Sequence, residues 1–312
     1  MNIQRPPFLA SYSAPLKLIA LIILLLISLL FTSLLGLALA IPFWGMDLLE
    51  MVGSKDFTNP ETLNFLKYIQ IINQIGLFIL PPLLFAYWAS RKIASYLRLN
   101  IRPQLKMMLV STAIIFVALP FISWLGEINR NFNLPESLAG IESWMKTMEL
   151  EANELIIAFL RVKGLSGMLF NLFMIAIIPA IGEEFLFRGV VLRLFKEWTK
   201  NVHLAVLISA ILFSALHLQF YGFLPRLMLG ILLGYMFVWS GSLWLPMLIH
   251  FINNGFAIVY IYVTDSMELI NSDVESIGSS DSAFVTVASA VFLVFLMLIM
   301  YKWYQDRQEN IA

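Results

Sequence analysis

Two adjacent carboxylates, Glu183 and Glu184, stand inside an apolar run from Met168 to Val191, and Arg188 follows one helical turn later. An ionisable side chain at mid-bilayer costs about 2.5–3.5 kcal/mol on insertion scales, so such groups face polar cavities and mark function. Residues four apart on a helix share a face, and Glu184 and Arg188 are expected to pair, each offsetting the other's cost in lipid. Glu183 is then left over, about 100° away around the helix. With no local cation, it is a carboxylate placed to take a proton from water as a general base.

Two histidines also fall within apolar runs. His217 lies four residues after Phe213, and His250 four residues before Asn254, while His203 is expected at the membrane interface. The His250 and Asn254 spacing puts two polar side chains on one helical face, where they can act on one bound group. Asn253 lies beside them, and either amide could be the structural one. The turn between the runs carrying Glu183 and His217 is centred near Thr199 to Asn201, so a hairpin there would bring the two side chains level. A single membrane histidine or asparagine is ordinarily helix-to-helix glue. Four such groups on three helices, with a spare carboxylate, point instead to a catalytic or transport site.

The elements that must position these groups are membrane helices. The chain has 312 residues, 60% hydrophobic and 13% charged, with a mean hydropathy of +0.84, which places it among integral membrane proteins. A formal net charge of zero excludes nucleic acid as a partner, since phosphate binding needs a basic face. Cysteine is absent, which removes disulfides, thiol catalysis and lipidation at cysteine. Runs long enough to cross ~30 Å of hydrocarbon occur near 17–42, 69–90, 106–126, 167–190, 203–220, 226–241, 244–264 and 283–302. The expected fold is an all-α, polytopic bundle of about eight transmembrane helices with both termini cytoplasmic. Leu18 to Phe43 exceeds a signal peptide's apolar core, so an uncleaved first span is expected.

Charge supports that count. Arg5, Lys17, Arg91, Lys92, Arg98, Arg102, Lys106, Arg193, Lys196, Lys200, Lys302 and Arg307 collect on one side, as the positive-inside rule requires. The other side is mostly acidic, from Asp47, Glu50, Asp56 and Glu61 through Glu127 to Glu154, then Asp265, Glu268, Asp273, Glu275 and Asp281. Projection of the polar 193–201 stretch into the cytoplasm would make the site open toward the cytoplasmic leaflet of a bacterial inner membrane. Residues 1–312 read as one integral membrane domain, with the chemistry concentrated in 165–260. Segment 127–163 mixes Ile141, Trp144, Met145, Met148, Leu155, Ile156 and Phe159 with acids at helical spacing, an amphipathic helix lying on the membrane or over the bundle.

Glu183-Glu184-Phe-Leu-Phe-Arg188, Phe213-Ser-Ala-Leu-His217 and His250-Phe-Ile-Asn-Asn254 resemble, in order, the three-motif signature of the CPBP intramembrane proteases. That family takes in the type 2 CAAX prenyl endopeptidases and the bacterial Abi and bacteriocin-processing proteins. The resemblance implies an intramembrane endopeptidase with water as nucleophile, acting on a membrane protein or lipidated peptide in the bilayer. Glu183 with His217 would activate the water, and His250 with Asn254 would stabilise the oxyanion. Arg188, held by Glu184, would be architectural or would position the substrate, with Phe213 and Asn253 in supporting roles. No cofactor is expected; were zinc present, Glu183, His217 and His250 would be its ligands, although no HExxH occurs and asparagine is a poor zinc ligand. Neither the substrate nor the oligomeric state is written in the sequence.

Competing readings are a proton-coupled transporter or a scaffold using the same Glu and His cluster to bind a ligand. Gly164-Leu-Ser166-Gly167 resembles the serine motif of rhomboid proteases, but that reading leaves both membrane glutamates idle. Gly230 and Gly234 have the spacing of a small-residue packing face inside the bundle.

Overall fold

The computed structural model describes residues 6–161, 164–264 and 282–310. Arg5, Lys163, Asp265, Glu268, Asp273, Glu275 and Asp281 lie outside the described residues. The principal helices are α1 (Ala14–Trp44), α2 (Pro60–Ser90), α3 (Leu105–Arg130), α4 (Ala139–Leu160), α5 (Leu165–Thr199), α6 (Val202–Ala215), α7 (Phe223–Ser240), α8 (Trp244–Thr264) and α9 (Ala283–Glu309). No strand occurs among the described residues. Seven helices there are long and apolar enough to cross a membrane, so the chain is a polytopic, all-α, multi-pass membrane protein.

One expected span is corrected. The run at 203–220 forms only the 14-residue α6, about 21 Å long, and His217 lies in the turn beyond it rather than inside a span. The cause is local competition for a carbonyl. The His217 ring takes the Phe213 oxygen that its own amide would have used, the amide turns back to Ser214, and Leu218 then adopts φ +53°. The turn preceding α6 falls where the sequence puts it, with Lys200 left-handed after Thr199.

The chain divides into two compact units, Met1–Asn100 with Ala158–Ser209, and Ile101–Ile157 with Ala210–Ala312. In the first, α1, α2 and α5 approach closely at glycines. A Cβ on Gly182 would lie 2.8 Å from Phe78 Cβ and 3.3 Å from the Phe78 carbonyl carbon. Both α2 and α5 widen into π-helical turns, at Ile75–Ile79 and Leu172–Ile177. Each turn directly precedes a segment with prolines, Pro81 and Pro82 or Pro179, whose missing amide donors break the regular ladder. Lys17 of α1 pairs with Glu197 of α5 at 2.8 Å, and Arg193 donates to the Tyr96 carbonyl while lying over its ring.

In the second unit, Ile114, Leu233, Met236, Ile249, Leu293 and Met300 form an apolar core. Ser289 of α9 inserts into the α3 ladder beside Pro120, donating to the Val117 carbonyl and accepting from the Phe121 amide. The amphipathic helix expected within 127–163 is α4. It packs on the turn between α6 and α7, with the Trp144 and Phe220 ring centroids 5.5 Å apart.

Candidate active site

Glu183 and Glu184 occupy the last turn of the α-helical stretch Ile178–Glu184 of α5, directly before a third π-helical segment, Phe185–Val191. Such turns recur at functional sites because they displace side chains from the regular α-helical register. Here no proline follows; the segment contains Arg188 and Gly189. The Phe187 carbonyl accepts from Ser209 Oγ at 3.1 Å, a partner for a backbone group inside the widened turn. Gly182 lets α5 approach the backbone of α2 immediately before the carboxylates.

The expected ion pair is present. Arg188 Nη1 donates to Glu184 Oε1 at 2.7 Å, with side-chain exposures of 1% and 0%. A pair this dry persists because each charge answers the other, and removing one partner strands the second. Glu183, 5% exposed, is buried beside it.

The second unit brings together Phe213, His217 and His250. Phe213 presents its ring to both imidazoles, with centroids 5.0 Å from His217 and 5.9 Å from His250, each edge-on. His217 Nδ1 is 2.7 Å from the Phe213 carbonyl oxygen. A carbonyl only accepts, so Nδ1 carries the hydrogen and Nε2 is the basic nitrogen of the neutral ring. His250 is 2% exposed, in α8. Asn253 Nδ2 donates to Asn254 Oδ1 at 3.2 Å. The two neighbouring amides are thus bonded to one another.

Several positioning residues carry no recognisable signature in the sequence. Asn129 of α3 bridges the turn after His217, donating to the Phe220 carbonyl and accepting from the Leu224 amide, both at 2.7 Å. From α4, Glu149 Oε2 accepts from the Tyr221 amide at 2.8 Å, and Asn153 Oδ1 from Gln219 Nε2 at 3.2 Å. Gly230 of α7 lies against α6, where a Cβ would come 2.9 Å from Ala210 Cβ and 3.3 Å from Phe213 Cδ1. The small-residue face is therefore internal at Gly230, and it presses on the ring that both histidines share. Beside this turn, a cavity of about 250 Å³ is lined largely by Phe132, Leu134, Met145, Phe220 and Phe223.

Ser166 is exposed near the start of α5 and makes no hydrogen bond to a histidine among the described residues. Among the described residues no group of three or more His, Cys, Asp or Glu side chains is placed to hold a metal ion.

These features define a multi-pass membrane protein whose acid, imidazole and amide groups sit on or next to apolar helices. Residues 165–256 match the family model "Type II CAAX prenyl endopeptidase Rce1-like", which supports the CPBP and CAAX protease family that the three motifs suggest. The chain is also similar to an uncharacterized 24.3 kDa protein of Escherichia coli, 31% identical over 111 residues, covering 34% of this chain and 50% of that protein. It resembles the uncharacterized protein YpbD of Bacillus subtilis (strain 168), 30% identical over 86 residues, covering 26% and 41%. The chain thus spans half or less of the length of these curated relatives. No solved structure matches.

Proposed function

We propose that this protein is an intramembrane endopeptidase that hydrolyses a peptide bond of a membrane-associated or lipidated protein. Glu183 accepts a proton from water with the help of His217, and the resulting hydroxide attacks the scissile carbonyl. His250 and Asn254 donate to the oxyanion that forms, where fixed donors contribute most. Collapse of the tetrahedral intermediate breaks the C–N bond, and the proton taken from water passes to the leaving amine. Glu184 and Arg188 hold the helix that carries the base, and Asn253 orients Asn254. In this reading the protein lies in a bacterial inner membrane, and its site opens toward the cytoplasmic leaflet.

The observation that carries the reading is the fixed tautomer of His217. Its Nδ1 hydrogen is committed to the Phe213 backbone carbonyl, which makes Nε2 the accepting nitrogen that can orient the water Glu183 deprotonates, and the Phe213 ring also packs on His250. The family match over residues 165–256 supports the protease class of this reading.

The test compares cleaved protein termini in source cells carrying wild type or Glu183→Gln, followed by reconstitution with the membrane peptides so identified. Wild type generates termini that the variant lacks, and purified protein cleaves them. Identical termini in both strains, or proton-coupled transport that survives loss of Glu183, would replace this reading with the transporter one. Loss of cleavage in a strong chelator, restored by zinc, would require a metal in place of the glutamate mechanism.

A further inference from the structure

Lys67 lies in α2, just before its apolar run, in the first unit, and is only 6% exposed. Its ammonium makes no hydrogen bond or ion pair with any described residue. What surrounds it is aromatic: the rings of Phe159 and Phe170, each with its centroid 5.9 Å from Nζ. That distance is the outer limit of a useful cation–π contact, so the rings compensate only part of the charge. Close by, Asn171 of α5 is 2% exposed. Its Nδ2 donates to the Phe159 carbonyl at 2.9 Å, and its Oδ1 is buried without a partner among the described residues.

The two groups share a depth. Helix α2 has 31 residues, about 46 Å at 1.5 Å per residue, which matches the ~40–45 Å of a bilayer with its headgroups. Lys67 is seven residues from Pro60, about 10 Å of rise, and Asn171 six residues from Leu165, about 9 Å. Both therefore fall just inside the border between headgroup and hydrocarbon, a depth from which the long Lys67 side chain can reach the headgroup layer. Phe170 is 41% exposed, which puts the ammonium one ring away from the protein surface.

We propose that Lys67 and Asn171 form a binding site for the headgroup of an anionic phospholipid. A phosphate oxygen accepts from the Lys67 ammonium, and once the half-exposed Phe170 ring turns aside a headgroup hydroxyl donates to Asn171 Oδ1, which is sealed as the side chains stand. The Phe159 and Phe170 rings flank the junction with the acyl chains. This assignment is independent of the proteolytic reading.

The test is native mass spectrometry of the full chain, purified in detergent, as wild type, Lys67→Met, Lys67→Arg and Asn171→Leu. The probes are phosphatidylglycerol, diacylglycerol with the same chains, and inorganic phosphate. Phosphatidylglycerol occupancy is expected to fall roughly tenfold in Lys67→Met and to survive in Lys67→Arg, since one charge-assisted contact is lost only in the former. Asn171→Leu should show a smaller loss. Thermal unfolding confirms that each variant is folded, and Lys67→Arg keeps the test decisive should Lys67→Met fail to fold. Equal phosphatidylglycerol retention by wild type and folded Lys67→Met overturns the proposal, as does equal retention of diacylglycerol. Lys67-dependent binding of phosphate alone, without lipid, would make this a free-anion site and overturn it too.

Discussion

His217 closes the end of α6 with its own side chain: Nδ1 donates to the Phe213 carbonyl at 2.7 Å, in place of the amide that a continuing helix would supply. One bond thus ends a helix, selects an imidazole tautomer and ties a candidate catalytic imidazole to the residue whose ring also contacts His250. Two substitutions separate these effects. His217→Ala removes both the cap and the imidazole that assists Glu183, with an expected stability loss of about 1 kcal/mol and a fall in cleavage of about 10²–10⁴-fold. Phe213→Leu keeps the backbone carbonyl and most of the apolar volume but loses the ring edges. Its cleavage rate should drop by up to about tenfold, with the thermal midpoint little changed.

The Glu184–Arg188 pair makes a different prediction, about stability alone. Each charge is buried, so Arg188→Met strands a carboxylate and should cost about 3–5 kcal/mol, with a similar loss for Glu184→Leu. The double variant should recover part of that loss, because neither member of the pair is left stranded, although buried Glu183 still loses the nearby charge of Arg188. Unfolding in detergent measures the cycle, and a double variant as unstable as the sum of the singles would show that the pairing is not what holds α5.

That pair was legible in the sequence because its geometry is local: four residues on one helix decide it. The alternation of apolar runs likewise located the spans, since each must bury its own backbone in lipid. His217 escaped the same logic. Hydropathy continues past Ala215, and only competition between a side chain and a backbone amide stops the helix there. The clamps on the following turn were less accessible still, because Asn129 lies 91 residues from Phe220 and 95 from Leu224, and no periodicity reports contacts of that range. The π-helical turns left a partial trace in Pro81, Pro82 and Pro179, whereas the one containing Arg188 left none.

Close approach at Gly182 can be tested against an open glycine. Gly182→Ala places a methyl 2.8 Å from Phe78 Cβ and should destabilise by about 1–3 kcal/mol through overpacking. Gly140→Ala, with nothing within 4 Å of the added carbon, should be neutral or stabilising by up to about 1 kcal/mol, since alanine favours the helix. Equal thermal midpoints for the two variants would remove the argument that α2 and α5 need this contact.

The clamps from α3 and α4 predict that residues outside the three motifs set the position of His217. Glu149→Gln keeps an oxygen acceptor for the Tyr221 amide, whereas Glu149→Ala removes it and loosens a turn that Asn129 and Asn153 still hold. Cleavage should fall by roughly tenfold in the alanine variant and be largely retained in the glutamine one. A purely structural role would instead lower thermal stability in step with activity, so both are measured. Loss of activity equal in the two variants would point to the charge of Glu149 rather than to its bond with the turn.

Tyr96 gives a prediction in pH. Burial beneath Arg193 is the main cause that pushes its phenol up to about 12, partly opposed by the charge of Arg193 itself. An unfolded tyrosine titrates near 10, so the folded state holds the proton more tightly. The corresponding stability is fully present below about pH 10 and is lost as pH rises toward 12, because the unfolded chain ionises first. The size is about 3 kcal/mol at most, two pH units at roughly 1.4 kcal/mol each. Absorbance at alkaline pH should show one phenol titrating late, and Tyr96→Phe should remove that step together with the steepest part of the alkaline loss of stability. A late step that persists in Tyr96→Phe would assign it to another tyrosine and would leave the Arg193 contact without this consequence.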